Sequence, residues 1–459
     1  MEPYKYHVYV CDQKKPEGAP CCSASGSAQL IEALRREIAT KGLVDDVQIT
    51  VSGSLGLCER GPNMVVYPEG VWYSGLKPGD VAEIVDSHLK SGRVIERLVN
   101  KDAQALRAEI GGNKAKMMAA LRARDDAGVL PDELMQAIQG FRESRIILTA
   151  IELDIFSAIG TGATSETVAR KVGTEARATE MLLDALVALE LLHKQDDKFK
   201  NTAVSSRYLA AGGKDDSRLG LHHTANLWRR WSTLTERVRA GTAALVTAQG
   251  EPGEDPKDPG GWTRAFIAAM HKNAAFRAPL VVQAVGAEGI RRMLDIGGGS
   301  GAYCIAFAKA NPNLRADVLD LPSVIPLTRQ YVEQAGLSGR IETRAGDMLA
   351  DDLGKGFDFV LISSICHMNS PEENEKLMKK AFDALSSGGR IAIQDFILNP
   401  DRTSPKSAAL FAINMLVGTR SGSTYTEAEY ASWLKVAGFA DARRIPIPGP
   451  SGLIVGERG

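Results

Sequence analysis

The sequence predicts an α/β protein in three successive parts: a small α/β module, a helix-rich middle region and a doubly wound sheet of parallel strands. Three observations carry that prediction. Strand-like and helix-like patterns alternate through residues 262–459, which implies parallel strands joined by crossover helices. Helical periodicity dominates 131–245. Strand-like runs flank two helical patterns within the first hundred residues.

In chain order, 6–10 reads as a strand, and a helix follows over 27–40 with Leu30, Ile31, Leu34 and Ile38 on one face. Residues 47–51, 64–67 and 71–73 read as strands, and 80–88 as a second helix opened by Pro78 and Gly79. The charged, Ala-rich stretch 101–130 reads as a helical linker. Within 131–261, residues 141–159 form an amphipathic pattern, 164–172 and 179–192 a helix-turn-helix, and 194–201 a wing. Strands are expected at 292–296, 315–319, 341–344, 357–362 and 390–394.

Composition excludes several classes. Lys+Arg is 55 against 56 Asp+Glu, so no global charge draws the chain to nucleic acid or membrane. No apolar run reaches the roughly 18 residues of a membrane span, and the first residues lack a signal peptide's apolar core. The chain reads as cytoplasmic. Nucleic-acid binding by the helix-turn-helix is disfavoured, because Glu175, Glu180, Asp184 and Glu190 outnumber Arg177 there. In a reducing compartment, Cys11, Cys21, Cys22 and Cys58 suggest metal before disulfides. Cys304 reads as core, and His222-His223, without partners at metal spacing, as helix surface.

The chemistry concentrates after residue 292. Strand Met293-Leu294-Asp295-Ile296 runs straight into Gly297-Gly298-Gly299-Ser300-Gly301, and a helix begins at Ala302. Glycines let the backbone approach a ligand closely, and the helix N-terminus offers a positive dipole end. Asp320 ends the next strand 19 residues after Gly301, where a carboxylate reaches ribose hydroxyls. Gly346-Asp347-Met348 ends the third strand, placing a carboxylate and a thioether for an adenine.

The segments LDIGGGSG, VLDLPSVI, AGDML, ICHMNSPEEN and YTEAEYASWLKVAGF make 131–459 similar to class I, S-adenosylmethionine-dependent O-methyltransferases with a winged-helix dimerisation domain. The resemblance implies a Rossmann-like domain over 262–459, a homodimer formed through 131–261, and a small, aromatic methyl acceptor. It implies cofactor binding by Asp295, Gly297, Gly299, Asp320, Leu321, Asp347 and Met348. Phe266, Met270, Met415 and Thr419 match segments that line the acceptor pocket. His367 matches the general base, and Asp395 a carboxylate that holds its ring. Departures from the plant enzymes are Met368 and Asn369 after the base, Thr424 in place of a second acid, and Ser363 in place of a lysine. Carbon or nitrogen methylation, or a non-catalytic S-adenosylmethionine-binding redox sensor, are the alternatives.

Residues 6–98, through HVYVC, CSASGS, GSLGLCERGPNMVVYPEGVWYSGL and DVAEIVDSHLKSG, resemble thioredoxin-like 2Fe-2S ferredoxins. The resemblance gives a module over 1–100 and a cluster held by Cys11, Cys22 and Cys58, with Ser54 where the family has its fourth cysteine. Three readings are open: Ser54 or Cys21 completes the cluster, a cluster forms with a labile site, or the module has lost it and serves structure or docking. With a cluster, a redox partner is implied.

Overall fold

The computed structural model describes residues 3–15, 20–241 and 260–459, which form two compact units, Met1–Ile138 and Gln139–Gly459. In the first, β1 (Tyr6–Cys11) pairs in parallel with β2 (Val47–Ser52) and antiparallel with β3 (Asn63–Tyr67), and β3 pairs with β4 (Val71–Ser74), giving the order β2-β1-β3-β4. The pattern in β1 places Val8 and Val10 in a core with Leu30, Leu34 and Ile38 of α1 (Ser27–Thr40). The expected second helix is a short α-turn (Val81–Glu83) running into a π-helical turn (Ile84–Leu89). The stretch expected as a linker forms α2 (Ala103–Asp126), but it is docked: Glu109 pairs with Arg60 at 2.6 Å and Asn113 donates to the Gly56 carbonyl at 2.8 Å.

In the second unit the amphipathic run 141–159 is two helices, α3 (Phe141–Glu152) and α4 (Ile155–Ile159). They break at Asp154, whose φ of 53° lies in the left-handed region. Ala150, Ile151, Ile155 and Phe156 pack in this unit's own core, while Phe141 at the start of α3 is exposed. The helix-turn-helix is α5 (Ser165–Val172) and α6 (Ala176–Ala188), and the wing is the hairpin of β5 (Leu192–Gln195) and β6 (Lys198–Asn201). The acidic face is used locally: Glu175 caps α6 and Lys194 pairs with Asp184 at 2.8 Å. Next come α7 (Ala203–Tyr208), α8 (Arg218–Trp231) and α9 (Leu234–Ala240). Residues 242–259, just before the expected boundary at 261, lie outside the described residues.

The 25-residue α10 (Gly261–Val285) leads into the sheet. Strands β7 (Arg292–Ile296), β8 (Arg315–Asp320), β9 (Ile341–Ala345), β10 (Phe357–Ser363) and β11 (Leu385–Asp395) pair in parallel in the order β11-β10-β7-β8-β9. The crossover helices used below are α11 (Ala302–Ala310), α12 (Ile325–Gln334) and α13 (Pro371–Ala384). After the short β12 (Ile397–Leu398), α14 (Lys406–Gly418), β13 (Tyr425–Thr426) and α15 (Glu427–Ala437), strands β14 (Ala440–Ile445) and β15 (Gly452–Glu457), unexpected from the sequence, extend the sheet: β15 pairs antiparallel with β11, and β14 antiparallel with β15. Strand order reverses at β7, so a crevice opens outside the carboxyl ends of β7 and β10.

Candidate active site

Parallel strands end on one edge, and that geometry gathers residues scattered over a hundred positions. Gly297 follows β7, Asp320 ends β8, Asp347 follows β9, His367 follows β10 and Asp395 ends β11. The loops after β7 and β10 meet tightly: a Cβ on Gly297, whose φ is 68°, would lie 2.3 Å from Ile365 Cδ1. Gly299 is different. Its φ is 57°, yet a Cβ there would meet only Ile267 at 3.8 Å, so it borders open space. That is the shape of a cradle that a ligand, and not the protein, fills.

Asp320 braces this loop. One carboxylate oxygen accepts from Gly299 N and the other from Leu321 N, both at 2.7 Å. Burial raises its pKa, and those two N–H donors oppose the shift. Each oxygen retains lone-pair capacity for a further donor. Asp347 is exposed and accepts from Leu349 N at 2.8 Å. Half-buried Met348 packs against the core cluster containing Leu319 and Leu353, and Leu321 is 50% exposed. The cradle therefore fits a nucleoside with a diol and a flat base.

Asp295 stands apart from the other residues expected at the cofactor. It is fully buried beneath the loop, and a Cβ on Gly298 would lie 2.8 Å from its carboxyl carbon. Its Oδ1 has no hydrogen-bond partner among the described residues, and Cys304, buried in α11 as expected, offers a weak S–H contact to Oδ2 at 3.6 Å. Burial pushes its carboxyl up to about 7; the Cys304 contact opposes this and the Asp320 charge adds to it. Asp295 supports the loop from below and does not face the cradle.

His367 and Asp395 are brought together. His367 Nδ1 lies 2.6 Å from Asp395 Oδ1, and both side chains are buried. Asp395 also accepts from the backbone N–H groups of His367 and Phe396, so three donors fix it. A carboxylate at Nδ1 assigns the proton to that nitrogen and leaves the Nε2 lone pair for the pocket. Phe411 of α14 meets the imidazole edge-on at 4.8 Å and stacks on Phe396 at 4.0 Å. Thr424 is buried and donates to the Ala408 carbonyl, with no carboxylate to offer. Ser363 donates to Gln394 Oε1, as does Tyr303.

Two helices carry the residues expected at the acceptor. On α10, Trp262, Phe266 and Met270 share one face, while Ile267 and His271 turn toward the glycine loop. His271 is hydrogen-bonded to Ser300 Oγ at 2.9 Å and stacks on Tyr331. On α14, Met415 is buried, and the Thr419 hydroxyl that follows closes the helix end, donating to the Met415 carbonyl and accepting from Gly422 N. His223 corrects the expectation of a surface residue. It is half-buried, its ring 5.1 Å from Trp262 and 5.2 Å from Phe266. Burial, then the Arg230 charge, lowers its pKa to about 4. Its pairing with an aromatic face on another helix leaves no local pattern, and His271 carried only its place beside Met270.

In the first unit the Cys11 and Cys22 side chains interact with each other, and Cys58 Sγ lies 3.4 Å from Ser54 Oγ. Asn63 donates to Cys22 Sγ at 3.3 Å. Among the described residues, no group of three or more His, Cys, Asp or Glu side chains is placed to hold a metal ion. Nor is any helix among them long and apolar enough to cross a membrane.

Comparison with known proteins follows the same division. Residues 135–211 match the O-methyltransferase dimerisation domain and residues 231–440 the O-methyltransferase domain. The chain is 35% identical over 335 residues to 3-hydroxy-5-methyl-1-naphthoate 3-O-methyltransferase of Streptomyces sahachiroi, covering 72% of this chain and 95% of that one. It is 30% identical over 334 residues to L-tyrosine C(3)-methyltransferase of Streptomyces lavendulae, covering 67% and 88%. The solved structure of the Serratia methyltransferase PigF with SAH superposes with a TM-score of 0.66 at 27% identity, covering 72% of this chain and all of that one.

Proposed function

The chain belongs to the S-adenosylmethionine-dependent O-methyltransferase family, and from that premise we propose that it methylates a hydroxyl of a small aromatic acceptor, with His367 as general base. The observation that carries this reading is the buried His367–Asp395 pair at 2.6 Å. When bound, S-adenosylmethionine supplies an electrophilic methyl on a sulfonium. The protein's part is alignment and removal of one proton.

A phenol ionises near ~10, so little phenolate exists at neutral pH. Nε2 of His367 accepts that proton as the oxygen attacks, and Asp395 holds the ring and stabilises the imidazolium. Gly297, Gly299, Asp320, Leu321, Asp347 and Met348 hold the cofactor. Asp320 accepts from the ribose, Asp347 from the adenine amine, and the Met348 thioether packs on the ring. Phe266, Met270 and Met415 shape a slot for a flat acceptor. Residues 131–261 serve as a winged-helix dimerisation region, which makes the enzyme a homodimer.

Transfer to an aromatic carbon is the second reading, favoured by the likeness to L-tyrosine C(3)-methyltransferase. Both reactions gain from removing a phenolic proton, so the base does not separate them. The position of the new methyl does. Incubation with isotopically labelled S-adenosylmethionine and a panel of phenols should give methyl ethers by NMR; ring-methylated phenols alone would replace the first reading with the second.

For residues 6–98 we propose a thioredoxin-like module, supported by the β2-β1-β3-β4 order with helices at 27–40 and 81–89. The residues do not fit a ready 2Fe-2S site. No third Cys, His, Asp or Glu side chain among the described residues joins Cys11 and Cys22 at a metal-binding spacing, Cys58 faces a hydroxyl, and a neutral serine is a poor ligand for iron beside thiolate. The module then serves structure or docking. Iron and acid-labile sulfide after anaerobic reconstitution test this; stoichiometric cluster in the wild-type protein would restore the redox role and its partner.

A further inference from the structure

The aromatic wall of the acceptor side contains one polar group with nothing to do. His223 lies on α8 in a corner formed by Trp262 and Phe266, and its Nδ1 is buried without a hydrogen-bond partner among the described residues. An unsatisfied buried polar atom is costly, so a packing role alone would be better filled by an apolar ring. Arg230, seven residues on, shares that face of α8. Its guanidinium sits 4.6 Å from the Trp262 ring centre and donates to the Gly418 carbonyl at 3.4 Å.

Helix α14 gives the scale. Phe411 touches His367, and Gly418, which takes the Arg230 contact, lies seven residues further along the same helix. At 1.5 Å per residue the two contacts are about 10 Å apart. That is the span of a fused bicyclic arene carrying a polar substituent at each end. Met415 on α14 and Phe266 and Met270 on α10, which match the acceptor-lining segments, suit a flat, apolar body.

We propose that His223, backed by Arg230, recognises a carboxylate on the acceptor, so that the preferred substrates are hydroxyarene carboxylic acids whose hydroxyl is presented to His367. This rests on the hydroxyl-methylation reading above and adds to it the second functional group. A carboxylate accepts from the imidazole N–H and meets the guanidinium charge, a combination that a plain phenol cannot use. The neutral state of free His223 accords with that role: burial first, and then the Arg230 charge, suppresses its protonation, and an arriving anion offsets the second of these. A site built around such groups rejects an analogue that leaves them unpaired.

The test uses the full chain and a matched pair of probes, a hydroxynaphthoate and the naphthol that lacks its carboxylate. Affinity is measured calorimetrically with S-adenosylhomocysteine present, and kcat/KM separately. Wild type should prefer the acid by about 10- to 100-fold in both. His223→Phe should collapse that ratio to within about three-fold, and His223→Asn should restore part of it, because an amide still donates. Arg230→Met should lower the ratio as well. Unaltered S-adenosylhomocysteine affinity reports that each variant is folded. Equal use of both probes by wild type, or an acid preference that survives in His223→Phe and Arg230→Met alike, overturns the inference while leaving hydroxyl methylation standing. Preferential binding of the acid without methylation of either probe upholds the carboxylate site and instead removes the hydroxyl reading.

Discussion

At the carboxyl edge of the seven-stranded sheet, polar side chains converge with bonding capacity left over; in the N-terminal unit Cys11 and Cys22 face each other and Cys58 faces the Ser54 hydroxyl. Asp395 takes three protein donors and still leaves His367 with a free ring nitrogen. Asp320 binds two backbone N–H groups and keeps lone pairs facing the cradle at Gly299. Cys22, by contrast, is enclosed by Cys11, Asn63 and Gly61, where a Cβ would lie 2.9 Å from its sulfur. Chemistry is built where the fold leaves valence unspent, and the contrast between the regions is open to experiment.

The largest effect is expected at the His367–Asp395 pair. His367→Ala should lower turnover by about 10²–10⁴-fold while cofactor affinity stays near wild type. The deficit should shrink at high pH, where a phenolic acceptor ionises unaided. Asp395→Asn should give a smaller loss of the same kind. A pH–rate profile of all three proteins is the measurement; normal turnover by His367→Ala at neutral pH would show that deprotonation is not its task.

Next comes the cradle. Asp320→Ala should weaken S-adenosylmethionine binding by about 10- to 100-fold, from the loss of charge-assisted bonds and of the brace on Gly299. Calorimetry checks this, and unaltered affinity would remove Asp320 from the site.

A smaller effect separates Asp295 from its neighbours. Its carboxyl is raised to about 7 in the folded chain, against about 3.9 when unfolded. The folded state therefore holds the proton more tightly. That contribution is fully present below about pH 4 and is lost as pH rises toward 7, at up to about 1.4 kcal/mol per pH unit. Asp295→Asn should remove the dependence, so the variant gains on wild type as thermal unfolding is followed from about pH 5 to pH 8. A difference that does not vary with pH would mean that Asp295 is not ionising at the cost burial implies.

The smallest change probes the other region. Ser54→Cys should raise iron and sulfide content above wild type after reconstitution, by supplying a thiolate beside Cys58. The same low content in both proteins would show that the pairing of Cys11 with Cys22, rather than the serine, prevents the cluster.

The parallel core of the sheet was legible in sequence because buried strands such as 357–362 are apolar on both faces and punctuated by glycine and aspartate. Strands β14 and β15 were not. β14 reads ADARRI with polar residues on both faces, and its partner begins and nearly ends in glycine. A single apolar stripe read over 141–159 hid the break at Asp154, since periodicity does not register one left-handed residue.

Sequence by itself determined the glycine loop, the acid at the end of β8 and the pair His367 and Asp395, because each is tied to the end of a strand and parallel strands end together. Tertiary structure alone decided three things: that Asp295 lies under the loop, that His271 reaches Ser300, and that His223 faces Trp262 and Phe266. The reason is physical. A strand's end is fixed by local chain geometry, whereas the direction a buried side chain faces is set by whichever helix packs over it, and that helix comes from elsewhere in the chain.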